Sequence, residues 1–163
     1  MNFRWKEQAR DWFRHLSNNK TLFKTNFDFY YICLMLGLAS GRTNSLSEGV
    51  DLTDEFVTDY KEQQRIIIGL LLRAELARFG LDIKDKSSIR TCLQQLLDPS
   101  STNKLTSAGM SALNEYASGG FDLLVENIHD KPRNGPEFLI TYNRILQSAI
   151  QTNPNWIIQS LST

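Results

Sequence analysis

Apolar positions recur along most of this chain at intervals of three and four residues, the spacing that gives a helix one buried face. Trp5, Ala9, Trp12, Phe13 and Leu16 follow it and predict an amphipathic helix over 3–17, which "SNNKT" then breaks. A second helix is expected from Asn26, a plausible cap, to Ser40, ended by the glycine of "SGRTN". Its run "FYYICLMLGLA" is apolar on nearly all sides, so other helices should surround it.

Residues 43–53 are mostly small and polar and read as a loop. A long helix is expected next, capped at Thr53 or Asp54 and stopped by Gly80, with Phe56, Tyr60, Ile67, Leu70, Leu71 and Ala74 on one face. The block "IIIGLLL" within it could form a strand on β-propensity alone. The strong helix formers on either side, and the unbroken phase of the face, favour the helix.

A shorter helix follows, capped by Ser87 or Ser88, with Ile89, Cys92, Leu93, Leu96 and Leu97 inward and Pro99 beyond its end. The segment from Thr106 to about Ile128 forms another. Pro136 opens a last long helix with Phe138, Leu139, Tyr142, Ile145, Leu146 and Ala149 on its buried side. "NPNWIIQSLST" adds a terminal turn whose Trp156 folds back onto the body. The expected architecture is all-α: one compact domain over 1–163, an irregular bundle of about six helices.

Two adjacent glycines interrupt the fifth pattern, in "EYASGGFDLL". The apolar phase survives them, because Met110, Leu113, Ala117, Phe121, Leu124 and Ile128 still form one stripe. Neither a phosphate-binding loop nor a dinucleotide turn fits, since both need a preceding strand and further glycines or a lysine. A glycine inside a helix costs about 1 kcal/mol relative to alanine. The preferred account is close approach of another helix or backbone at Gly119 and Gly120. A kink or hinge, and a backbone contact to a ligand, are the alternatives.

Composition adds little to this picture. The chain has 163 residues and no net charge, so a whole-molecule basic field for nucleic acid is absent. The longest apolar run falls short of the ~18–20 residues that span a bilayer. The N-terminus lacks the apolar core of a signal peptide. A cytoplasmic protein with two free, buried cysteines, Cys33 and Cys92, is expected.

Charge is nevertheless polarised. Within residues 1–24, six cations against Glu7 and Asp11 give +4, leaving −4 for the rest. Lys6, Arg10 and Arg14 fall at i, i+4 and i+8 of the first expected helix. With Lys20 and Lys24 they are candidates for contact with phosphates or with a partner protein. They could instead form a solvated flank, or pair with the acidic 48–62 region. In that region Glu55, Asp59 and Glu62 share one face of the expected helix; a solvated face is favoured there over a metal site.

His15 and His129 are the only histidines, so no zinc pattern exists. No catalytic constellation, cofactor or metal site is expected. Two functional readings remain. The first is a small non-catalytic helical subunit or adaptor, acting through protein contacts in a larger complex that could process nucleic acid. The second is a helical enzyme or ligand-binding protein whose site is scattered across facing helices, with Tyr116, Glu115, Arg73 and Glu75 as candidates. Trp5 and Trp12 fit either a core or an interface.

Overall fold

A computed structural model describes residues 1–156; the terminal "IIQSLST" lies outside the described residues. The all-α reading holds, with 59% of the described residues helical. The six α-helices are α1 (Glu7–Trp12), α2 (Asn26–Ser40), α3 (Gln64–Arg78), α4 (Lys86–Leu96), α5 (Ser107–Asn127) and α6 (Gly135–Thr152). One small antiparallel sheet accompanies them, formed by β1 (Phe3–Trp5) and β2 (Val50–Thr53).

The centre of the molecule is the contact between α2 and α5. Helix α2 begins after Thr25, one residue earlier than the expected cap, and the Asp28 carboxylate accepts the Thr25 N–H at 2.8 Å. It ends at Gly41, whose φ of +72° closes the last turn. Helix α5 is capped by Thr106, whose Oγ1 accepts the Gly109 N–H at 3.0 Å.

Glycines let the two backbones touch. A Cβ on Gly120 would stand 1.8 Å from the Cys33 carbonyl oxygen, and one on Gly119 would stand 2.3 Å from that of Arg42. The arrangement is reciprocal, since a Cβ on Gly37 would stand 1.8 Å from the Tyr116 carbonyl oxygen. No larger residue fits at these crossings without separating the helices. Gly37 was not singled out in the sequence, because a lone glycine in an apolar run carries no signal of contact.

The N-terminal expectation requires correction. Instead of one helix over 3–17, the chain forms β1, then the six-residue α1, then a 3-10 turn at Leu16–Asn18. Trp5, Ala9, Trp12, Phe13 and Leu16 are all buried, so the inward set was legible although the element was not. Phe3 and Trp5 are buried around a half-buried Arg4, a period of two that three residues cannot distinguish from a helical start. The structure places both tryptophans in the core, where Trp12 meets Phe13, Phe121 and Phe138 edge-on.

The supposed loop over 43–53 contains β2, which pairs with β1. The long helix expected from Thr53 or Asp54 is a 3-10 turn at Thr58–Tyr60 followed by α3, which Gly80 stops at φ +65°. Glu55 and Asp59 therefore do not share an α-helical face with Glu62. The cap of α4 is Asp85, accepting from the Ser87 N–H at 3.0 Å, rather than either serine. Helix α6 starts at Gly135, with Pro136 second, after the cap Asn134.

Candidate functional site

The structure separates the five candidate cations. Lys6 precedes α1 and turns to Asp122 on α5 in a largely buried ion pair. Lys24 reaches Asp59 at 3.1 Å, and Arg4 reaches Asp51 at 2.9 Å. The basic N-terminus and the acidic 48–62 region thus meet each other within the fold. Arg14 lies 3.6 Å from Asp11, which also pairs with Lys131. The Lys131 hydrogen bond and charge hold the Asp11 carboxyl below its usual range.

Arg10 and Lys20 pair with no carboxylate among the described residues. With Arg14 they line a surface cleft of about 530 Å³ that also touches Asn26, the first residue of α2. The single ridge read from the sequence is therefore not a continuous track. It is a local basic cleft, with Lys6 and Lys24 already committed elsewhere. Its remaining positive charge lies beside the positive end of α2 and opposite Glu7 and Asp11.

A second cluster joins residues that the sequence only suggested. Tyr116 donates to Glu75 Oε1 at 3.0 Å in the core between α3 and α5. Arg78 reaches both Glu75, at 3.4 Å, and Glu115, at 3.2 Å. Burial, then the Glu75 carboxylate, pushes the Tyr116 phenol up. Burial works against the Arg78 charge, but Glu75 and Glu115 together outweigh it and raise the guanidinium.

Arg73 stands apart from that network. It donates to the Asn155 carbonyl at 2.7 Å and lies 4.6 Å over the Trp156 ring. Trp156 and Asn153 in turn donate to the last carbonyls of α2, those of Leu38 and Ala39. A pocket of only about 100 Å³ remains between Arg73, Arg78, Tyr116 and Trp156. It sits where α2 and α3 end, so its two guanidiniums complement helix C-termini. The buried Glu75 and Asn153 both have partners, which fits a clamp joining α2, α3 and α5. Arg78 and Asn153, central to it, had no signal in the sequence beyond their types.

The third feature is apolar and exposed. Between α3 and α4, Phe79, Leu81 and Ile83 remain 62%, 40% and 53% exposed. Their turn is well defined. Leu81 N–H donates to Leu76 at 2.8 Å, and Asp82 holds the next bend through the Lys84 and Asp85 amides. Arg78 stacks 5.7 Å over the Phe79 ring.

Both cysteines are free and buried, and burial raises the Cys33 thiol far above its usual range. A thiolate nucleophile is disfavoured there. No group of three or more metal-ligating side chains occurs among the described residues. No described helix is long and apolar enough to cross a membrane. Comparison of the chain with family models, curated proteins and solved structures yields no match.

Proposed function

We propose that this chain is a small helical subunit or adaptor that acts by binding other proteins within a larger assembly. The observation that carries the reading is the apolar corner of Phe79, Leu81 and Ile83. Three large apolar side chains left exposed within five residues of one constrained turn are the kind of feature that marks interaction sites. Covering them would recover on the order of 1 kcal/mol each. A direct nucleic-acid role through Lys6, Arg10, Arg14, Lys20 and Lys24 has less support, because internal ion pairs engage Lys6, Lys24 and Arg14. A cytoplasmic location belongs to the same proposal.

The test is affinity purification from the native host, with and without nuclease, comparing the wild type with Phe79→Asp/Ile83→Asp. These positions are exposed, so circular dichroism should match between the two proteins. The expected result is a stoichiometric protein partner that survives nuclease and is lost with the variant. Recovery of the chain alone, or a partner that the variant retains, would remove the apolar corner as the binding surface.

A further inference from the structure

Strand β2 has a neighbour on one side only. The sheet contains two strands among the described residues, which leaves the outer edge of β2 open. Asn114 on α5 fixes how that edge is presented. Its side chain accepts the Arg4 N–H at 3.0 Å and donates to the Asn2 carbonyl at 3.0 Å, serving the far edge of β1 as a third strand would. Tyr30 anchors the same amide oxygen at 2.8 Å. Arg4 therefore turns its backbone away from β2. The Arg4–Asp51 and Trp5–Val50 pairs are in regular antiparallel register, the shift falling between Phe3 and Arg4, so Asp51, opposite Arg4, turns its own N–H and C=O to the open edge.

Beside this edge lies a groove of about 280 Å³, walled in part by Trp5, Phe27 and Val57. Trp5 is buried, yet its indole N–H has no acceptor among the described residues. Leaving a buried donor unmatched costs about 1–3 kcal/mol. The groove and the basic cleft share Arg10 and Asn26, so one surface runs from the strand edge to the cations. Within it, Arg10 and Lys20 are the cations that no described carboxylate engages.

We propose that an extended acidic peptide of a partner protein binds along the open edge of β2 and places a carboxylate side chain among Arg10, Arg14 and Lys20. The inference rests on the protein-binding reading above but uses a different surface. A peptide main chain matches the outward N–H and C=O of Asp51. A nucleic-acid backbone offers phosphates but no such ladder. At four residues, β2 is too short to hold a peptide by main-chain bonds alone, so affinity depends on the cleft.

The probe is a fluorescent octapeptide alternating valine and glutamate, followed by anisotropy and by amide hydrogen exchange at Asp51. A peptide with lysine in place of glutamate, and a short single-stranded DNA of mixed sequence, serve as comparisons. The glutamate peptide should bind and slow exchange at Asp51. Arg10→Glu/Lys20→Glu, at exposed positions, should weaken binding about tenfold, as loss of a charged hydrogen bond does. The lysine peptide should not bind.

No binding of the glutamate peptide, binding indifferent to the double substitution, or unchanged Asp51 exchange at saturation would overturn the inference. Preference for the DNA would assign the cleft to nucleic acid and overturn it as well. Phe79→Asp/Ile83→Asp should leave peptide binding intact. A partner captured through the apolar corner despite failure of the peptide would remove this inference alone.

Discussion

Two helices of similar character in sequence, α5 and α3, have opposite circumstances in the fold. Both carry glycine in their interior, where it should cost about 1 kcal/mol relative to alanine. In α5 that cost is offset, because Gly119 and Gly120 bring the helix onto the backbone of α2 and its following turn. In α3, Gly69 has nothing within 4 Å of where its Cβ would stand. The α2–α5 seam is thus fixed by contacts that tolerate no added atom. Helix α3 is held by buried Ile67, Leu71 and Leu76 and by the Glu75, Tyr116 and Arg78 cluster, and leads into an apolar corner that its own chain leaves exposed. Glycine alone does not reveal close packing; the neighbouring backbone does.

The comparison can be broken most directly at Gly120. Gly120→Leu should destabilise by about 3 kcal/mol or more, lowering the melting temperature on the order of 10 °C. Calorimetry against the wild type checks this, and an unchanged melting temperature would mean that the seam yields to a side chain.

Alkali gives the next test. Tyr30, Tyr116 and Tyr142 are all raised, first by burial, with Cys33 adding to the effect on Tyr30 and Tyr142 and Glu75 to that on Tyr116. Their neutral forms favour the folded chain below the ordinary phenol value of about 10, and this advantage is lost as pH rises above it. Stability should fall progressively over roughly pH 10 to 12. Phenolate absorbance from the buried tyrosines should appear only together with loss of circular dichroism. Titration of every tyrosine near its ordinary value in the folded chain would contradict the burial of the seam.

The smallest effect is expected at the other glycine. Gly69→Ala should stabilise by about 1 kcal/mol, raising the melting temperature by about 3 °C. A destabilised variant would show that α3 needs the glycine for a reason other than packing within this chain.

The helices that carry their own signals were legible. Helix α2 could be read from its apolar run and terminal glycine, and α5 from a stripe that stays in phase across "ASGG". Helix α6 could be read from Pro136 and its apolar face. Around the N-terminus the inward residues were legible but the element was not. Three residues are too few for a period, and β1 exists because β2 and Asn114, more than forty residues away, satisfy its backbone. The candidate cations show the same division. Their types and spacing were visible, but Asp122 and Asp59 decided that Lys6 and Lys24 are paired while Arg10 and Lys20 are not.

By itself the sequence determined the all-α class, the buried face of its longer helices and the polarity of charge between the first residues and the rest. These depend on local periodicity and on neighbours within a few turns. Only the tertiary structure decided which glycines touch a backbone, which charges neutralise one another and which strand edge and apolar corner remain open. Each of those depends on distance in space between residues far apart in the chain, and residue order does not encode that distance one position at a time.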